Sequence, residues 1–189
     1  MKKTWLNVSL FFIIIEIVLH PPLLIANLLI ISKTLYQSPW EWVDELGQKI
    51  SLSQFKGKPL VITMTYTSCR MSCPLTMRKL QEVRRDLEKK SIQAEFVMVT
   101  LDPRLDTYQR LAQYKKSWNL PKKSWHFLTG EKSTILDLSR FLGIRFQEEA
   151  DGHINHDNKI IIIDQEGKIK NTIVGWDNDI SEVISSSQK

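Results

Sequence analysis

Cysteine is nearly absent from this chain: two among 189 residues, four positions apart, Cys69 and Cys73. Such sparse usage excludes a disulfide-stapled mini-domain, whose bridges close long loops. A bridge between these two would close a very short loop and restrict the unfolded chain little, so the pair is kept for chemistry rather than stability. Proline is missing after Pro121, and no repeat or low-complexity tract interrupts the chain. A basic stripe is missing as well. The 26 Lys and Arg against 21 Asp and Glu leave a formal net charge of +5. They are scattered rather than gathered with aromatics between them, which reads as solvated surface and argues against a nucleic-acid partner. What remains is ordinary for a folded domain, with 25% charged and 42% hydrophobic residues. Without its apolar N-terminus the chain keeps about 150 residues, enough for one domain with its own core.

The N-terminus stands apart. Lys2 and Lys3 precede a mostly apolar stretch from Trp5 to Ile31, interrupted at Glu16, His20 and Pro21-Pro22. Two readings compete: a signal peptide cleaved near Ala26, or an uncleaved anchor, since about 27 residues suffice to cross a bilayer. Leu24-Ile25-Ala26 is a poor small-x-small site and no cysteine follows for lipid attachment, which favours the anchor. Lys2 and Lys3 place the N-terminus in the cytoplasm and the domain across the membrane. The expected division is 1–32 anchor or signal segment, 33–39 linker, and 40–189 globular domain.

Within that domain Glu45 to Leu52 reads as two short strands turning at Gly47. Pro59 to Tyr66 is continuously apolar and β-branched, as in a central strand covered on both faces. From Pro74 the period changes: Leu80, Val83 and Leu87 recur at helical spacing among charged residues, with proline in the first turn where its missing N–H costs nothing. Glu95–Leu101 is a second buried strand. Asp106 can cap a helix reaching about Trp118. Trp125–Leu128 is a short strand, and residues 133–142 form a helix stopped by Gly143. Lys159–Asp164 and Lys168–Val174 form a hairpin around Gln165-Glu166-Gly167, and a last short helix covers Ile180–Ser185. Strands alternating with helices give an α/β sheet. A terminal antiparallel hairpin makes the layout thioredoxin-like, here with an additional N-terminal β-hairpin.

Cys69 and Cys73 lie where a central strand ends and a helix begins, the place where α/β sheets carry their functional loops. A helix N-terminus favours thiolate over thiol, and Arg70 adds to that field. The spacing puts both sulfurs on one side, near enough for a disulfide or for one metal ion. Of four histidines, His20 is in the apolar N-terminus and His126 alternates with Trp125 and Phe127 as a packed or surface residue. His153 and His156 flank Ile154-Asn155 just before the strand Lys159–Asp164. In a thioredoxin-like topology that segment faces the cysteine loop, and the proline that thioredoxins carry there is missing. Two thiolates and an imidazole suit Cu(I), which is soft and accepts three ligands, whereas zinc wants a fourth. By spacing alone His153 competes with His156.

Thr65 to Pro74, containing Cys69-Arg70-Met71-Ser72-Cys73-Pro74, resembles the C-x-x-x-C-P segment of the Sco/SenC proteins. Leu101-Asp102-Pro103-Arg104-Leu105-Asp106-Thr107 is similar to that family's D-P-x-x-D-T segment. His156 matches the family's histidine before an apolar strand, and Phe55-Lys56-Gly57-Lys58-Pro59 matches its entry into the first central strand. The likeness runs over about residues 40–175. It implies a thioredoxin-like fold on one N-terminal membrane anchor, with copper held by Cys69, Cys73 and His156. It also implies a role in assembling the binuclear copper site of cytochrome c oxidase. The expected location is the bacterial inner membrane with the domain facing the periplasm, or the equivalent mitochondrial inner membrane facing the intermembrane space. The partner would be the oxidase's copper-site subunit or another copper or thiol-exchange protein. Asn155 stands where the family has an aspartate before its histidine, and Asp157 follows. Asp102, His153 and Arg70 are left without an assigned role.

Two functions follow. A copper chaperone needs both thiols reduced and His156 available. A thiol–disulfide oxidoreductase needs only Cys69 and Cys73, one attacking and the other resolving. A peroxiredoxin-like peroxidase is disfavoured, because it needs threonine where this chain has Tyr66.

Overall fold

The computed structural model describes residues 34–121, 123–176 and 184. The N-terminal anchor or signal segment lies outside the described residues, as does the helix expected at residues 180–185 except Ile184, which is helical and buried. Among the described residues no helix is long and apolar enough to cross a membrane.

The central strands form where the sequence is most apolar. β1 (Trp42–Asp44) and β2 (Lys49–Ile50) make the first hairpin, turning through Gly47 at φ +81°. β3 (Leu60–Thr65) is followed by helix α1 (Ser72–Lys89), and β4 (Glu95–Thr100) by α2 (Tyr108–Ser117). β5 (Trp125–Thr129) precedes α3 (Lys132–Leu142), which ends at Gly143 with φ +64°. A short hairpin of β6 (Phe146–Glu148) and β7 (Ile154–His156) comes next, then β8 (Lys159–Ile163) and β9 (Ile169–Val174). The seven-stranded sheet has the order β2-β1-β5-β4-β3-β8-β9, and β6 and β7 pair separately. β3, β4 and β5 are mutually parallel, while β8 and β9 join antiparallel. This is the mixed α/β, thioredoxin-like arrangement that the alternation of elements predicts.

Because successive side chains on a strand point to opposite faces, β3 feeds two cores. Leu60, Ile62 and Met64 pack with Ile135, Leu138 and Leu142 of α3, whereas Val61 packs with Met77, Leu80 and Val83 of α1. Every residue of β3 and β4 is buried. The register pairs Thr65 with Thr100, so both strands end together, and the loops that follow them open side by side.

The residues read as a linker do more than connect. Leu35–Gln37 form a 3-10 turn, and Leu35 and Tyr36 are buried in the core. Leu35 N–H donates to Gly167 O at 2.8 Å, and the Tyr36 hydroxyl lies 3.4 Å from Phe55 O and from Asp164 O. The turn between β8 and β9 is shaped to receive this segment. Gly167 has φ +88°, and a Cβ there would sit 2.6 Å from the buried Tyr36 ring. Gly167→Ala combines a left-handed backbone with that clash, and should destabilise the domain by about 2 kcal/mol. Urea unfolding would check this; a midpoint unchanged from the parent would contradict the contact.

Candidate metal centre

The cysteines sit at the joint between β3 and α1. The helix begins at Ser72, with Pro74 in its first turn as the sequence predicts, and Cys73 lies in that turn as well. Cys73 N–H reaches Cys69 Sγ at 3.4 Å, and Ser72 Oγ lies 3.6 Å from the same sulfur. Both cysteines are free and buried. The Cys73 thiol is the first cause holding Cys69 far below an ordinary thiol, at about 3; burial opposes it, and the Cys73 N–H, the Ser72 hydroxyl and the Met71 N–H reinforce it. Cys73 is pushed up in return, as the partner that keeps the proton and as the more buried group. The pair thus stores one charge, on Cys69, and one proton, on Cys73. Arg70, expected to supply the field, is exposed to solvent, and the neighbouring hydrogen bonds do that work.

A depressed pKa means thiolate at every pH above it. Alkylation of the reduced protein by iodoacetamide should therefore mark Cys69 and spare Cys73, at a rate that stays flat from about pH 8 down to about pH 5. A rate that fell tenfold per pH unit across that range would contradict the assignment.

His156 completes the cluster. Its Nε2 lies 3.8 Å from Cys73 Sγ, and the three ligand atoms of Cys69, Cys73 and His156 all lie within 4.8 Å of one another. The other ring nitrogen, Nδ1, is 3.2 Å from the backbone oxygen of Asp157. A carbonyl only accepts, so Nδ1 carries the proton and Nε2 turns its lone pair toward the sulfurs. The Asp157 carboxylate does not orient the ring: it is held by Arg145 and Lys159 at 3.2 Å each, and Arg145 drives it well below the usual carboxylate range. Asn155 is exposed. The tuning that sequence reasoning sought in a flanking carboxylate is supplied by the backbone. His156 also stands on a strand, β7, rather than in the loop expected before β8. His153 is not part of the cluster.

The SCO1/SenC family profile matches residues 30–189. The chain belongs to the SCO1/SenC family. A Stutzerimonas stutzeri relative, provisionally named as copper-binding, is 26% identical over 153 residues, covering 78% of this chain and 74% of its own. The chain spans 64% of the length of a Rickettsia conorii SCO2-like protein, at 27% identity over 68% of this chain. Among solved structures, Arabidopsis thaliana ScoI with copper bound superposes with a TM-score of 0.69 at 19% identity, covering 79% of this chain and 93% of that one. BsSco, described as having a disulfide switch and as belonging to a family of cytochrome c oxidase assembly proteins, gives 0.69 at 21% identity, covering 84% and 93%. These two likenesses concern the fold.

Two features of this family member escaped the sequence. Asp106, expected to cap α2, does not; Thr107 does, its Oγ1 accepting from Arg110 N–H at 3.4 Å. The Asp106 side chain instead turns inward and is fully buried. It accepts from Thr67 N–H at 2.9 Å, from the Thr67 hydroxyl, and from the Thr100 hydroxyl at 2.6 Å, with Arg110 Nε 3.6 Å away. Arg110 Nε also donates to Thr67 Oγ1 at 2.7 Å. The carboxylate therefore ties the loop carrying Cys69 to the end of β4 and the start of α2. Asp102 is buried too, its Oδ1 accepting from Leu105 N–H at 3.3 Å, a role within its own loop. The second feature is Tyr66, the last apolar residue before the cysteine loop, whose ring stands edge-on to His156 at 5.9 Å.

Proposed function

We propose that this protein binds a copper ion through Cys69, Cys73 and His156 and serves the assembly of the binuclear copper site of cytochrome c oxidase. The observation that carries the reading is the donor set itself: two sulfurs and one imidazole nitrogen converging within 4.8 Å. It is soft, it has three members, and it suits Cu(I) better than zinc. Copper is the cargo here. Cys69 offers a thiolate already formed, Cys73 gives up its proton as the ion is taken, and His156 supplies a lone pair whose direction the Asp157 carbonyl has set. The acceptor would be the oxidase's copper-site subunit or another copper or thiol-exchange protein. Residues 1–32 would act as a membrane anchor, with the domain from Thr34 onward facing the periplasm or an equivalent compartment.

A second reading rests on the asymmetry of the two thiols. A low-pKa Cys69 beside a protonated Cys73 is also the arrangement of an attacking and a resolving thiol, which would reduce a partner's disulfide before copper arrives. Titrating the reduced chain with Cu(I) against a chromophoric chelator separates the two. Tight one-to-one binding that needs His156 supports the chaperone. Weak binding together with rapid insulin reduction would replace it with the oxidoreductase.

A further inference from the structure

His156 rides on a two-stranded hairpin that stands outside the main sheet. Something must hold that hairpin against the cysteine loop, and Tyr66 is placed to do it. It is 2% exposed and sits immediately after β3, three residues before Cys69. Its hydroxyl is 3.0 Å from His153 Nδ1 and accepts from Ile154 N–H at 3.4 Å. Its ring meets His153 and His156 edge-on, at 6.2 and 5.9 Å. His153 N–H in turn donates to Asp151 Oδ1 at 2.9 Å, which fixes the approach to the strand. A hydroxyl accepts through its lone pairs and donates through its proton, so the Tyr66 oxygen can take the Ile154 N–H and bond His153 Nδ1 at the same time.

We propose that Tyr66 and His153 form a clasp that positions His156 over the two thiols, so that His153 serves as a positioning residue and not as a ligand. The clasp rests on the copper reading given above, but its own contacts exist in the copper-free protein. Partners that orient a ligand in this way are worth about 10- to 100-fold in metal affinity. The phenol keeps its ring in Tyr66→Phe, so packing against both imidazoles survives and only the hydroxyl's bonds are lost.

The test uses the full chain and two variants, Tyr66→Phe and His153→Ala. Without copper, Tyr66→Phe should exchange its Ile154 amide about fivefold faster, as expected for the loss of one hydrogen bond, while thermal unfolding stays near the parent. With Cu(I), each variant should bind about tenfold more weakly, and the double variant no more weakly than either single, because both changes open one clasp. In a His156→Ala background Tyr66→Phe should change copper affinity no further. That readout would not move so if Tyr66 merely stabilised the domain. Unchanged Ile154 exchange, or an affinity loss that persists without His156, overturns the clasp. If the parent itself fails to bind copper, the copper reading falls, and Ile154 exchange still decides whether the clasp exists.

Discussion

Alanine at His156 should weaken Cu(I) binding by at least about a hundredfold, more than the loss of an orienting partner commonly costs. Two sulfurs would remain, able to hold the ion in a linear pair, but the third donor that closes the cluster would be gone. The fold should barely notice. His156 is only half-buried and lies at the end of β7, and its one side-chain bond besides the sulfur contact is to a neighbouring backbone oxygen. Truncation there should cost about 1 kcal/mol or less. A competition titration with a chromophoric chelator measures the first effect and urea unfolding the second. Affinity equal to the parent's would remove His156 from the site and leave a dithiol as the only centre of chemistry.

Asp106→Ala should have the opposite signature, a large loss of stability with copper ligands untouched. The carboxylate is fully buried, and its removal strands the Thr67 amide and two threonine hydroxyls at once, while Arg110 keeps its bond to Thr67 Oγ1. Breaking a buried ionic network from one side typically costs about 3 kcal/mol or more, because the surviving donors stay desolvated and unpaired. Since Thr67 is two residues before Cys69, the cysteine loop should loosen in the same variant, and alkylation of Cys69 should become pH-dependent where the parent's is flat. Asp106→Asn, which keeps one oxygen, should lose less. A change below about 1 kcal/mol for the alanine variant would mean that solvent repairs the cavity.

Much of this was legible in the amino-acid order, for reasons tied to particular elements. Leu60–Thr65 and Glu95–Thr100 are covered on both faces, and a strand so placed reads as a run dominated by apolar and β-branched residues. α1 has one buried stripe, Met77, Leu80, Val83 and Leu87, whose spacing is that of a helix. Cys69 and Cys73 were conspicuous by their scarcity. The hairpin of β6 and β7 was not readable, because three-residue strands with a single buried side chain, Ile154, carry too short an alternation to stand out. Asp106 resembled a helix cap because caps are local and its true partner, Thr67, is 39 positions away. Leu35 and Tyr36 sit in a short segment with polar neighbours, and their burial depends on the β8–β9 turn far along the chain. In each case the missing information was long-range pairing, which a local pattern does not contain.

The segment that follows β9 brings Trp176 back to α1, where its indole N–H donates to Thr76 Oγ1 at 3.0 Å, one helical turn beyond Cys73. Indole emission is sensitive to its hydrogen-bonding state and to quenchers close by. The molecule therefore carries an unlabelled optical probe near its thiols, and a stopped-flow trace of fluorescence should time the filling and emptying of the site. Trp176→Phe would supply the control, its trace carrying only the chain's other five tryptophans.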